Sequence, residues 1–445
     1  MKGFKAYDIR GVYTRDFDAG DVYRVGFFLP TLLNADRVLV GRDVRESSDE
    51  IFEALCRGIT EAGADVFSMG LATTPMVYYG TAKHRFPASV QITASHNPKE
   101  YNGLKISRTG ALPVGYDSGL AELEEMVNGG GEPRPAETPG SIEDIDIRGE
   151  YIEFLKGWAD FSGLQYAIDC SNGMASLLVK DIFGGDPIYL YDTLDGRFPN
   201  HEPNPLIEEN VKALKDRVVE KGLDLGIIFD GDADRVMFVD DRGRFVSPDL
   251  MIGILGIYLL EEEKGGVLHD IRTSRSVTEH IRSLGGTPHM WKVGHAFAKT
   301  KLREIGAVYG GELAGHYYFR DFFHCDSGML AAIIALNVLS GMKRGDTAFS
   351  SLIDSIRTWA FSGEINFRIE KKNEAMTELY RVYGEEKSPD AVYDFDGYRI
   401  EFADWWFNVR PSNTEPYLRL VVEAKDDKLL EEKVAEIRDR LSAFE

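Results

Sequence analysis

A chain of 445 residues with 43% hydrophobic and 28% charged side chains has room for about three compact units at roughly 150 residues each, which excludes a single small module and a disordered chain. Its net charge of −22 repels nucleic acid and anionic membrane surfaces, so an anionic ligand has to be met by a local cluster of arginine and lysine. The start MKGFKAYDIR lacks a secretory apolar run, and the longest apolar stretch, Leu250 to Leu260, is too short to span a bilayer; both features predict a cytoplasmic protein without membrane partners.

Along the chain, Tyr7, Asp8 and Arg10 in FKAYDIRG come first as polar candidates. Arg37 to Val40 is short, apolar and β-branched, which predicts a buried strand, followed by Gly41-Arg42-Asp43 and a helix from Ser48 to Ala62. Ala88 to Ile92 predicts another strand. It leads into TASHNP, where Ser95, beside His96 and Asn97, stands at a strand end, the place where α/β proteins put ligand groups; the G-x-S-x-G elbow is absent. Lys105 follows in NGLK. Between Val127 and Asp146 the glycines 129 to 131 and Pro133, Pro135 and Pro139 mark a first boundary.

The strand, turn and helix grammar recurs at Tyr166-Ala167-Ile168 before Asp169 to Gly173, and at Val267-Leu268-His269 before Asp270, Ser274 and Ser276. Three such units predict related α/β domains with mostly parallel pairing. The apolar strand Leu225 to Phe229 runs into DGDADR, with Asp230, Asp232 and Asp234 at alternate positions of a loop read as extended. Three carboxylates facing one way call for a hard divalent cation. An EF-hand is excluded, because Arg235 occupies the loop position that needs glycine and a strand precedes the loop. Asp241-Arg242-Gly243 reads as a hairpin turn, and Ser247-Pro248 as an N-cap with proline at the first helical position.

Lys292 and His295 in WKVGH and Glu312 and His316 in the glycine-rich GGELAGH supply groups for sugar hydroxyls or proton transfer. Glu364 to Phe367 begins a further strand. In RPSNTEP, Arg410 offers a bidentate cation and Ser412, Asn413 and Thr414 offer hydroxyl and amide donors, a set suited to a phosphate dianion, with Arg419 close by as a second cation. Leu430, Val434, Ile437 and Leu441 line one face of a last helix. The cysteines, Cys56, Cys170 and Cys325, are an odd number without a C-x-x-C pair, against a disulfide framework or zinc ribbon.

In this order, FKAYDIRG, TASHNP, NGLK, DGDADR, WKVGH, GGELAGH and RPSNTEP resemble the α-D-phosphohexomutase family, in its phosphomannomutase/phosphoglucomutase branch, over essentially the whole chain. The resemblance implies three topologically similar α/β domains with mixed, mostly parallel sheets (residues 1–140, 141–246 and 247–360) and a smaller α+β C-terminal domain (361–445), set around a central cleft. It implies a phosphosugar substrate and reversible transfer between hexose 1-phosphate and 6-phosphate, with hexose 1,6-bisphosphate as intermediate and activator. Ser95 would carry the phosphoryl group, and Asp230, Asp232 and Asp234 would hold Mg²⁺ against it. Arg235 and Lys105 would meet the reacting phosphate, Lys105 also moving a proton, with Arg10 and His316 near the reacting hydroxyl. Glu312 would contact the 3- and 4-hydroxyls, and the loop from Arg410 would grip the non-reacting phosphate. Ala314 stands where the dual-specificity branch usually has serine, which leaves the preferred sugar open and keeps phosphoglucosamine mutase as an alternative, with a metal-dependent sugar phosphatase behind it. A homo-oligomer is compatible with all of this.

Overall fold

Short β-branched and apolar runs, broken by polar turns, make the strands of the first unit in the computed structural model, which describes residues 1–411 and 417–444. Arg37–Arg42, Asp65–Leu71 and Ala88–Ile92 lie parallel, because the helices Ser48–Glu61 and Thr74–Lys83 carry the chain back between them. Tyr101–Arg108 then folds back antiparallel on Ala88–Ile92, and Leu112–Pro113 on it in turn. Ile9–Val12 and Ile142–Asp144 complete the two edges. The glycine and proline stretch after residue 128 therefore returns to the first sheet at Ile142–Asp144.

The second unit repeats this plan with Tyr166–Asp169, Ile188–Leu190 and Leu225–Phe229 parallel and Val236–Asp240 and Phe245–Val246 antiparallel. The third repeats it with Gly266–Asp270, Thr287–Trp291 and Tyr309–Gly311 parallel and Tyr317–Phe319 and Cys325–Asp326 antiparallel. In each unit the first strand sits between the second and the third, and the fourth and fifth follow outward from the third. The expected parallel pairing describes that half of each sheet; the other half is antiparallel, because its connections are hairpins too short for a crossover helix. One position recurs: the turn from third to fourth strand spans residues 93–100, 230–235 and 312–316 in the three units.

The fourth sheet is antiparallel throughout its described strands, in the order Ala360–Arg368, Tyr417–Ala424, Trp405–Pro411, Tyr398–Glu401, Ala391–Tyr393. The helix Asp427–Leu441 covers it, burying Ile437 and Leu441 fully and packing Leu430 and Val434 against the same core. Leu250 to Leu260 falls within the helix Pro248–Glu262, and no described helix is long and apolar enough to cross a membrane.

One apolar core runs from Met76 and Tyr79 of the first unit through Ile168 and Phe229 of the second to Leu330 and Ile333 in the helix Gly328–Arg344 of the third. The fourth unit packs around its own core of Trp405, Phe407 and Leu420. Polar groups join it to the third. Buried Arg399 lies 3.5 Å over the Trp406 ring and donates to the carbonyls of Ile271 and Thr273 at 2.7 and 2.8 Å. The Arg275 backbone N–H donates to Glu423 at 2.8 Å.

Candidate active site

The three equivalent turns reach one cleft, through His96, Arg235 and Leu313–Ala314, and the first holds Ser95 buried next to His96. Ser95 is 1% exposed and sits in left-handed backbone, φ +52°. Its N–H donates to Thr93 Oγ1 at 2.9 Å and its Oγ to Asp230 Oδ2 at 2.7 Å; His96 Nδ1 lies 3.4 Å from the same oxygen. The turn is pinned from behind by Arg45, whose guanidinium donates to the carbonyls of Ser95, Asn97, Pro98 and Tyr101 at 2.7–3.0 Å and pairs with Asp43. Four carbonyls on one fork-shaped cation fix the loop in a way a point charge could not. Arg10 donates to Asn97 Oδ1 at 2.8 Å and to Asp8, which ties the first strand to the same loop.

The second turn carries the aspartates. It is a tight turn, which corrects the expectation of an extended loop: Ala233 has φ +62° and its N–H donates to the Asp230 carbonyl at 3.3 Å. The carboxylates converge because the chain curls around them, and alternation along the sequence is incidental. Gly231 is required here, since a Cβ at that position would sit 2.4 Å from the Ser95 carbonyl oxygen. All three aspartates are fully buried, with one oxygen from each within 4.8 Å of the others. Burial, reinforced by Asp232 and Asp234, pushes the Asp230 carboxyl well above the usual range. Lys105 Nζ donates to Asp232 and Asp234 at 2.6 and 2.5 Å. Burial opposes the charge on that ammonium, but the two carboxylates outweigh burial and raise its pKa. Asp232 Oδ1 and Asp234 Oδ1 remain buried without a hydrogen-bond partner. Unpartnered carboxylate oxygens converging in an all-oxygen site fit a hard divalent cation.

The third turn meets the second directly, as Arg235 and His316 form an isolated antiparallel bridge. Arg235 Nε donates to His316 Nε2 at 2.9 Å, so Nε2 holds the lone pair and the ring proton is on Nδ1, 2.7 Å from Asp326. Asp326 is in turn 2.7 Å from buried Lys299, whose ammonium sits 3.6 Å over the Tyr78 ring. Glu312 accepts from the Gly294 N–H at 2.5 Å and the Tyr318 hydroxyl at 2.6 Å, and is thereby fixed in the wall. His295 packs edge-on to Tyr7 at 5.6 Å. Tyr7, Lys292 and Arg410 line one side pocket of about 210 Å³.

The cleft itself has a volume of about 860 Å³ and is lined by His96, Arg235 and Ala314 of the three turns and by Arg272, Arg410 and Arg419. Burial and the neighbouring Arg272 lower the pKa of Arg410. Ser412, Asn413 and Thr414 lie outside the described residues. The expected residues thus fall into one interlocked group around Ser95, a wall bearing Tyr7, Lys292, His295 and Glu312, and a cationic end at Arg410 and Arg419.

Sequence reasoning missed Arg45, Arg272 and Asp326. The first two share a signal: Asp43-Val44-Arg45 and Asp270-Ile271-Arg272 follow the first strand of their units. In each the aspartate accepts the backbone N–H and the guanidinium of the arginine. Asp270 also accepts the Leu313 N–H at 2.8 Å, bracing the third turn as Arg45 braces the first. Asp326, ten residues beyond His316, had no local signal.

Comparison with known proteins covers the chain almost end to end. Profiles described as phosphoglucomutase/phosphomannomutase alpha/beta/alpha domains I, II and III match residues 1–133, 150–243 and 247–358, and the profile of the C-terminal domain matches residues 364–440. The phosphomannomutase of Escherichia coli (strain K12) is 36% identical over 438 residues, 95% of each chain. The phosphohexose mutases of Xanthomonas campestris pv. campestris (strain B100) are 37% identical over 99% of each. The crystal structure of a phosphoglucomutase/phosphomannomutase family protein from Burkholderia thailandensis superimposes with a TM-score of 0.89 at 30% identity, covering 99% of this chain and 97% of that one.

Proposed function

Since the chain belongs to the phosphoglucomutase/phosphomannomutase family and is a hexose phosphate mutase, we propose that it interconverts the 1-phosphate and 6-phosphate of mannose or glucose by way of phosphorylated Ser95. The observation that carries this reading is Ser95 Oγ on the Asp230 carboxylate, beside His96 in the wall of an 860 Å³ cleft that an arginine cluster also lines. A mutase needs both ends at once, one to exchange a phosphoryl group and one to hold the phosphate that stays.

In the forward half-reaction the sugar hydroxyl attacks the phosphorus on Ser95. The sugar O–P bond forms as the Oγ–P bond breaks, and a nearby base takes the hydroxyl proton. His316 Nε2 accepts from Arg235 and takes that proton only once Arg235 turns to the phosphoryl oxygens; Arg10 and Lys105 supply positive charge around the transferring group. The resulting 1,6-bisphosphate turns end for end and returns its other phosphoryl group to Ser95, and the same bisphosphate charges an unphosphorylated enzyme. Asp230, Asp232 and Asp234 would hold Mg²⁺, which when bound neutralises charge on the phosphoryl oxygens. Glu312 accepts from hydroxyls in the middle of the ring, so either orientation is tolerated, with Tyr7, Lys292 and His295 beside it. Arg410 and Arg419, with the loop of Ser412, Asn413 and Thr414, take the non-reacting phosphate.

The test is a panel of mannose, glucose and glucosamine 1-phosphates with Mg²⁺ and catalytic hexose 1,6-bisphosphate, read by product identity. Formation of 6-phosphate from mannose or glucose without net phosphate release is expected. Turnover of the glucosamine ester alone would transfer the reading to the phosphoglucosamine mutases, and steady release of inorganic phosphate would make the protein a phosphatase.

A further inference from the structure

We propose that Glu364 limits how tightly the cleft holds the non-reacting phosphate, so that a bound hexose 1,6-bisphosphate lets go at that end and turns round. The inference rests on the reading that Arg410 and Arg419 receive that phosphate.

Glu364 is the acidic member of the cationic end. Its Oε2 lies 3.4 Å from Arg272 and 3.7 Å from Arg410, and its Oε1 lies 3.3 Å from Arg419. These distances describe one carboxylate shared among three guanidiniums; a committed bidentate pair would be shorter. The backbone is shaped to put it there. Between Phe361 and Glu364 the register on Tyr417–Ala424 shifts by a bulge, with Gly363 at φ +68° and Ser362 Oγ accepting the Val422 N–H at 2.9 Å. Bulges next to active sites re-aim side chains, and this one delivers a carboxylate among Arg272, Arg410 and Arg419, with Asp396 a further acid near Arg410.

An anion-binding cluster gains nothing in affinity from a carboxylate at its centre. A dianionic phosphate seated among Arg272, Arg410 and Arg419 also meets Glu364, whose negative charge weakens the hold. For an enzyme that only had to bind, this would be a defect. A mutase has a bisphosphate gripped at both ends, and turning it round requires the far grip to release, so tighter binding of that intermediate slows the cycle.

The opposite role, in which Glu364 merely keeps the arginines in place, predicts the opposite sign. With the full-length protein, Glu364→Gln should lower KM for glucose 1-phosphate about fivefold and lower kcat by a similar factor. In calorimetry on the Ser95→Ala background, glucose 1-phosphate should bind correspondingly tighter when Glu364→Gln is added. Glu364→Asp, which draws the carboxylate back, should move both quantities the same way by less, and it serves if the glutamine variant does not fold. A raised or unchanged KM with unchanged or weaker binding overturns the proposal. Arg410→Ala on the same background separates the two failures. If it leaves glucose 1-phosphate affinity intact, the phosphate end itself has been misassigned; if it weakens binding while Glu364→Gln fails to tighten it, only the role of Glu364 falls.

Discussion

Ser95 owes its position to two buried neighbours: Arg45, which gathers the loop carbonyls, and Gly231, which lets the aspartate turn lie against the Ser95 carbonyl. With Oγ already directed at Asp230, incubation with a hexose 1,6-bisphosphate should add one phosphoryl group by intact mass, and Ser95→Ala should lose it. Labelling that survives the substitution would move the carrier to another residue. Asp232 accepts from Lys105 and from Thr74 while keeping one oxygen unpartnered. Asp232→Asn preserves that shape and removes the charge, so turnover should fall at least about tenfold, roughly 1.4 kcal/mol of transition-state stabilisation, and the dependence of rate on Mg²⁺ should weaken. Full activity in the presence of EDTA would count against a metal site altogether.

Among the elements, the strands that were legible in the sequence are those buried on both faces. Ala88–Ile92 and Leu225–Phe229 were predicted to the residue, because each is of strand length, carries apolar or β-branched side chains and is bounded by polar turn residues, too short for a helix. The curl of the aspartate turn was not legible, since it depends on the positive φ of Ala233 and on contact with a loop 135 positions away. Nor was the brace of His316 by Asp326 and Lys299, where the partners meet only after the third sheet has formed. The last helix was legible as an apolar stripe, but its ion pairs with Lys387 and Lys433 were not. Burial opposes the charge of Glu436, but those two lysines outweigh it and pull the carboxyl down to about 2 from an ordinary 4.5. A folded pKa below the unfolded one stabilises above about 4.5 and is lost as pH falls toward about 2. In urea unfolding, Glu436→Gln should therefore be less stable than the parent near neutral pH, and the gap should narrow with acidification; a gap that stays constant would mean the helix does not depend on that charge.

For the molecule as a whole, three units share one apolar core, and the fourth meets the third mainly through buried charge at Arg399, Arg275 and Glu423. A polar junction of that kind lets the fourth unit shift as a body, carrying Arg410, Arg419 and Glu364 relative to Arg272 of the third unit. If Arg410 holds the non-reacting phosphate, Arg410→Ala removes a contact present in both ground and transition states and should raise KM more than it lowers kcat. Arg235→Ala, beside Ser95 and Asp230, should mainly lower kcat. Steady-state kinetics of both variants on one hexose 1-phosphate decides the matter, and a larger kcat defect with unchanged KM in Arg410→Ala would reverse the two assignments. The clamp on the Ser95 loop has a mechanical corollary. With Arg45 behind it and Gly231 wedged in front, Ser95 is a stator: if it carries the phosphoryl group as proposed, it cannot swing out to follow its cargo. In the proposed cycle the rotation is then left to the sugar, and the Ser95 end of the cleft serves as the fixed bearing in which the sugar turns.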